Sequence, residues 1–223
     1  MYHLEDLEGW TFPGPSLAVL GHPIEHSLSP VIQNAALERM AGRFADWRYF
    51  AFDLPVERLR EGLSTFHEKN FAGLNLTIPH KVEALELSAG VDPVAWRMGA
   101  VNTLIRQDVG YFGRNTDGYG IQTALKQDLG AELSAANIII LGAGGASRAA
   151  VVQCLEAGCR KVWVGNRSED RLQELVRVVG GENSRLATFP LSELPLDLPD
   201  SLLLINATSL GLKEDNPAPA DLG

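Results

Sequence analysis

Two rhythms of apolar and polar residues divide this chain. In the first half, short apolar runs alternate with segments of helical spacing. Leu17, Ala18, Val19 and Leu20 read as a buried strand ending at Gly21. Ser29 and Pro30 then open a helix, serine as its N-cap and proline at its first position, with Ile32, Ala36 and Met40 on its apolar face. Residues 48–52 alternate as a second strand, and Pro55 opens a helix with Leu59, Leu63 and Phe66 at helical spacing. Residues 73–76 form a short buried strand that Pro79 stops, and a helix follows over 80–87. Residues 90–99 read as turns. Residues 100–105 are a strand that 109–112 joins as a hairpin, and a helix over 117–129 leads into the second half.

From Asn137 the runs become uniformly apolar. Ile138, Ile139, Ile140 and Leu141 suit a parallel strand buried on both faces. Gly142, Ala143, Gly144, Gly145 and Ala146 follow at once, then a helix to about residue 157. Residues 161–165 are the next strand, Ser168 caps a helix to residue 179, and 186–189 and 202–205 supply two more strands. The alternation predicts an α/β protein. Its second half reads as half of a doubly wound nucleotide fold with one strand beyond it. The boundary falls near residue 115, giving domains over 1–114 and 115–223.

Composition narrows the function. The hydrophobic fraction of 45% and charged fraction of 21% are those of a globular protein. No run of about 18 apolar residues occurs, so no membrane span is expected. A net charge of -9 argues against nucleic acid as a partner, because phosphate binding needs a basic surface. Cys154 and Cys159 form no CxxC motif, a disulfide framework does not fit, and a cytoplasmic location is expected. His22 and His26 bracket Pro23 without a third ligand nearby, so no metal site is expected.

The glycine cluster sits where a phosphate loop must sit, between a buried strand and a helix. Gly142 permits the tight turn. Gly144 and Gly145 let the backbone approach a pyrophosphate that the helix N-terminus stabilises. At the end of the second strand, where an NAD enzyme usually carries an acid, the chain has Asn166, Arg167 and Ser168, with Arg171 one turn on. The arginines could merely solvate a helix start. Positive charge in a first turn opposes the dipole, however, so a bound 2′-phosphate explains them better, and NADP is preferred over NAD.

Lys81 ends the run Asn75-Leu-Thr-Ile-Pro-His-Lys81. In the first turn of a helix it would face the positive end of the dipole, which disfavours the ammonium and suits a group that exchanges protons. The plain alternative is a solvated surface lysine.

Seven motifs then occur in order: Gly21-His-Pro-Ile-Glu-His-Ser-Leu-Ser-Pro30, Asn75-Leu-Thr-Ile-Pro-His-Lys81, Gly99-Ala-Val-Asn-Thr103, Asn115-Thr-Asp-Gly118, Gly142-Ala-Gly-Gly-Ala146, Asn166-Arg-Ser168 and Asn206-Ala-Thr-Ser209. From about residue 17 onward the chain resembles the shikimate dehydrogenase family. The resemblance implies an N-terminal α/β substrate domain and a C-terminal Rossmann-type NADP-binding domain. It also implies reversible hydride transfer between NADPH and the ketone of 3-dehydroshikimate, a step of aromatic amino acid (chorismate) biosynthesis.

By the same resemblance, Ser27 and Ser29 bind the substrate carboxylate, while Thr77, Asn102 and Asp117 hold ring hydroxyls. Lys81 and Asp117 are the catalytic pair, also touching substrate, and His80 is lining. Gly142 to Ala146, Asn166, Arg167, Ser168, Arg171, Ala207, Thr208 and Ser209 bind the cofactor. Taken alone, Asn102 would be a turn residue and Asp117 a helix N-cap beside Gly118. A monomer and a homodimer both fit.

The family continues for about 50 residues past Gly223, and a nucleotide sheet normally has six strands where four are read here. The strand over 202–206 would otherwise be an apolar edge, an aggregation hazard. The expectation is therefore that the nucleotide domain is incomplete. Two other readings stay open: a quinate/shikimate enzyme accepting NAD or NADP, and a non-catalytic NADP or shikimate-binding regulator. The first 15 residues, with Trp10 and Phe12, carry no assignment beyond surface packing or contacts.

Overall fold

The computed structural model of the 223-residue chain describes residues 1–40, 42–181, 183–196 and 198–211. Two compact units result. One holds Met1–Trp96 and Ala100–Asn115, the other Arg97–Gly99 and Thr116–Gly223.

The first unit is built on a seven-stranded mixed sheet. Its strands are β1 (Tyr2–His3), β2 (Ser16–Gly21), β3 (Arg48–Asp53), β4 (Phe71–Leu76), β5 (Gly90–Val91), β6 (Thr103–Arg106) and β7 (Tyr111–Arg114), in the spatial order β1-β3-β2-β4-β6-β7-β5. β2 runs parallel to β3 and β4, whereas β6 is antiparallel to both β4 and β7. Alternation along β2 sends Ala18 and Leu20 into one core and Leu17 and Val19 into another on the opposite face. Helix α2 (Leu59–Glu68) covers the first core with Leu59, Leu63 and Phe66, as its spacing predicts.

Helix α1 (Ser29–Arg39) covers the second core differently from expectation. Leu28 occupies its N-cap position, and Ser29 and Pro30 are already helical. Its buried residue is Leu37, while Ile32 and Met40 are 62% and 51% exposed. The reason is a polar anchor. Asn34 bonds both main-chain groups of Tyr49 at 2.9 Å, which turns the Asn34–Leu37 side of the helix inward.

Two local readings are also corrected. Residues 78–82 form turns, and helix α3 spans only Glu83–Leu87, so Lys81 precedes the helix instead of lying in its first turn. Residues 90–99 contain β5 and helix α4 (Pro93–Met98). Asp92 caps α4 by accepting from the Ala95 N–H at 2.7 Å, with Pro93 as the first helical residue.

The N-terminal residues belong to the core. β1 pairs parallel with β3, Leu4 and Leu7 are buried, and Trp10 packs within 4.8–5.6 Å of Phe50, Phe52, Phe71 and Tyr2.

The second unit carries four parallel strands: β8 (Asn137–Leu141), β9 (Lys161–Asn166), β10 (Leu186–Pro190) and β11 (Leu203–Asn206). Their order is β10-β9-β8-β11. Numbered within the unit this is 3-2-1-4, the expected doubly wound arrangement. Helices α5 (Asp117–Leu129), α6 (Gly145–Glu156) and α7 (Glu169–Val179) accompany the sheet. β11 forms one edge of the described sheet. No helix of the described residues is long and apolar enough to cross a membrane.

Candidate functional site

In an open α/β sheet, groups placed at the carboxyl ends of parallel strands share one rim. In the first unit β2 and β4 deliver the loops with Ser27 and Ser29, and with Thr77 and Lys81. β6 runs the other way, so its starting end reaches the same rim, with Thr103 opposite Asn75 and Asn102 just before it. The two loops are tied together: the His22 N–H donates to the Ile78 carbonyl at 2.9 Å, and the Thr77 N–H to the Leu20 carbonyl at 3.0 Å. The Thr77 methyl fills the space a side chain at Gly21 would need, 2.5 Å from an ideal Cβ.

Lys81 and Asn102 are brought together through the main chain. The Lys81 carbonyl accepts from the Val101 N–H at 2.7 Å, and the Asn102 carbonyl accepts from the Leu76 N–H at 2.8 Å. Asn102 is buried, and its Oδ1 accepts from the Thr103 hydroxyl at 2.9 Å. Asn75 supports this corner: its Oδ1 accepts from the Tyr49 hydroxyl at 2.7 Å, and its Nδ2 donates to Thr103 Oγ1 at 3.1 Å. Ser27 Oγ accepts from the Ser29 N–H at 3.3 Å, which sets the entry to α1.

His80 is not lining. Its ring is fully buried behind the turn, and burial holds its pKa at about 4. Beside it, His22 Nδ1 and Asp53 Oδ1 are 2.6 Å apart.

In the second unit the ends of β8, β9 and β11 share a rim in the same way. Gly142 has φ +109, and a Cβ there would lie 2.9 Å from the Ala207 carbonyl oxygen, so only glycine fits. Gly144 is exposed, with open space where a side chain would stand. It is the N-cap of α6 and makes no side-chain cap, so the first N–H groups of that helix face the open side. That cradle fits a pyrophosphate.

At the end of β9, Asn166 Nδ2 donates to the Ser168 carbonyl at 3.0 Å, and Ser168 caps α7 by accepting from the Arg171 N–H. Arg167 and Arg171 are exposed and enter no ion pair among the described residues. Two unspent guanidinium groups beside a polar cap suit a 2′-phosphate better than a ribose hydroxyl. After β11, Asn206 Oδ1 accepts from both the N–H and the hydroxyl of Thr208, at 3.0 and 2.8 Å, and fixes the Ala207–Ser209 turn beside Gly142. Asp117 is the first helical residue of α5, with Thr116 at the N-cap, so it is not the cap its neighbour Gly118 suggests. Lys81 and Asp117 fall in different units.

Residues 19–104 match the family described as shikimate dehydrogenase substrate binding domain, and residues 124–212 match shikimate / quinate 5-dehydrogenase. The shikimate dehydrogenase (NADP(+)) of Geobacter metallireducens is 40% identical over 203 residues, covering 89% of this chain and 70% of that protein. The chain belongs to the shikimate dehydrogenase family. The crystal structure of shikimate dehydrogenase from Aquifex aeolicus superposes with a TM-score of 0.81 at 31% identity, over 94% of this chain and 74% of that one. The Thermus thermophilus enzyme, solved in complex with NADP(H) and shikimate, gives a TM-score of 0.73 at 40% identity, over 89% and 70% of the two chains.

Residue spacing alone did not reveal Asn75 and Asn115 as builders of the site. Asn115 Nδ2 donates to the Ala100 carbonyl at 2.9 Å and so fixes the segment that leads to Asn102. Both lie inside motifs of this family, yet each reads from sequence as an ordinary turn or strand-end residue. Only the pairing of β4 with β6 gives Asn75 its partners.

Proposed function

We propose that this chain acts as an NADP-dependent shikimate dehydrogenase, reversibly reducing 3-dehydroshikimate to shikimate in aromatic amino acid biosynthesis. The observation that carries the reading is the 2.7 Å bond from the Val101 N–H to the Lys81 carbonyl, which ties the Lys81 turn to the segment that leads into Asn102 on one small polar rim. NADPH supplies the hydride when bound, to Gly142–Ala146, Asn166, Arg167, Ser168, Arg171 and Ala207–Ser209. The Lys81 ammonium gives its proton to the ketone oxygen as that oxygen gains charge, and the neutral amine takes it back in the reverse direction. Asp117 is the second member of the catalytic pair that the family's pattern implies, and it accepts from a ring hydroxyl. Ser27 and Ser29 donate to the substrate carboxylate, and Thr77 and Asn102 bond the remaining hydroxyls.

Residues 1–114 are then the substrate domain and 115–223 the cofactor domain. The net charge of -9 supports a small-molecule partner over nucleic acid. The protein works in the cytoplasm as a monomer or homodimer.

The test is NADPH oxidation with 3-dehydroshikimate, run beside quinate with NAD and with NADP. Turnover confined to the shikimate pair with NADP(H) supports the assignment. Absence of turnover with every pair overturns it in favour of a binding module.

A further inference from the structure

We propose that Arg148, on the first turn of α6, is a positioning residue for the substrate segment ending at Asn102; this rests on the substrate role proposed for Asn102. Arg148 is 4% exposed. One of its amino groups donates to Glu174 Oε1 at 2.8 Å and the other to the Gly99 carbonyl at 3.2 Å. A buried guanidinium is costly, and an apolar side chain would join two helices at least as well. The ion pair with Glu174 therefore does not explain why the arginine is there. The bond to Gly99 does, because an apolar residue cannot make it.

Gly99 belongs to a strip of three residues, each held by a helix of the second unit. Arg97 pairs with Glu156 at 2.9 Å. The Met98 methyl lies 2.7 Å from where a Cβ on Gly118 would stand, which places the strip against the residue next to Asp117. Gly99 has φ +59, and a Cβ there would sit 2.1 Å from Val178 Cγ1.

At the next residue the chain passes into the first unit, where Asn115 holds the Ala100 carbonyl at 2.9 Å. Two successive carbonyls are thus gripped by Arg148 and Asn115. The chain continues to Val101, bonded to Lys81, and to Asn102, whose N–H donates to the Arg114 carbonyl at 3.0 Å. With Gly99 fixed, two residues remain before Asn102, too few to absorb a shift of the start. Arg148 therefore fixes the residue at which the segment leading to Asn102 begins.

The test compares Arg148→Met, Arg148→Lys and Glu174→Gln by steady-state kinetics, NADP+ affinity and amide hydrogen exchange. Arg148→Met is expected to lower kcat at least about tenfold and to raise the KM for shikimate, since small misplacements of reacting groups cost this much. NADP+ affinity should stay within about twofold. The amides of Val101 and Asn102 should exchange at least about tenfold faster while those of β8 and β9 do not. Glu174→Gln keeps the bond to Gly99 and should retain turnover within about twofold. Should Arg148→Met fail to fold, Arg148→Lys carries the test: its ammonium cannot reproduce the two-armed grip, so the same exchange change is expected. A folded Arg148 variant with wild-type exchange at Val101 and Asn102, or with NADP+ affinity falling as far as turnover, overturns the proposal. If the wild type itself shows no turnover, the functional assignment fails, and the exchange measurement still decides the role of Arg148.

Discussion

The Val101 N–H donates to the Lys81 carbonyl at 2.7 Å. Twenty residues apart in sequence, the turn after β4 and the approach to β6 are thereby fixed to each other. Neither can move without breaking a main-chain bond that both sides need. Lys81 therefore sits in a turn anchored at its own carbonyl, which suits the role proposed for it as proton donor to a developing alkoxide.

Lys81→Ala should lower kcat by roughly 10²–10⁴-fold, the usual worth of a positioned acid–base group. The KM for 3-dehydroshikimate should change far less. Steady-state kinetics on the folded variant provide the check, and near-normal turnover would remove Lys81 from the chemistry.

In the proposed function, cofactor choice rests on Arg167 and Arg171. Each charge-assisted bond to a phosphate contributes about 1.5–3 kcal/mol, so Arg167→Ala or Arg171→Ala should raise the KM for NADPH roughly tenfold or more. The kcat/KM with NADH should barely move. If both cofactors suffer equally, the arginines only shape the helix start.

Much of this was legible in the chain because local rules and the fold agree there. The run from Ile138 to Leu141 followed by Gly142 admits little besides a buried strand and a tight turn, and the Ser168 cap of α7 appears as spacing predicts. The failures have physical causes. Ile32 and Met40 look like the inner face of α1, but the polar Asn34–Tyr49 bonds decide its rotation, and hydrophobic spacing cannot show a partner 15 residues away. Residues 90–99 read as turns, yet Asp92 followed by Pro93 is a helix-start pair, and Asp92 does accept from the Ala95 N–H. Arg148 reads as an ordinary helix residue, since its meaning depends on a carbonyl 49 residues earlier.

Trp10 tests whether the N-terminal segment is structural. Its ring centroid lies 4.8 Å from that of Phe50 and 5.4 Å from that of Phe71, while its Nε1 is buried without a partner among the described residues. Trp10→Ala should cost about 3 kcal/mol through the cavity it leaves. Trp10→Phe keeps most of the ring contacts, loses only an unpaired N–H, and should cost about 1 kcal/mol. Urea unfolding of the two variants measures this. Equal stabilities for Trp10→Ala and the wild type would show that residues 1–10 contribute nothing to the core.

His80 sets an acid limit on stability. Its ring is fully buried, and neither nitrogen has a hydrogen-bond partner among the described residues. Burial is the main reason its pKa falls from 6.5 to about 4. The Leu54 main chain opposes the shift without meeting hydrogen-bond geometry, His22 adds to it, and Asp53 and Glu57 oppose it. The folded chain takes up this proton only near pH 4, whereas the unfolded chain takes it up near 6.5. Between those values the unfolded state holds more protons, so stability rises with pH. The contribution is complete above pH 6.5 and is lost as the pH falls toward 4. At pH 5 the loss should be about 2 kcal/mol. His80→Met removes the titrating group while filling similar space. Its urea-unfolding free energy should therefore fall less than that of the wild type between pH 7 and pH 5, by about that amount. Parallel losses in the two proteins would assign the acid sensitivity to other groups and leave His80 without a part in it.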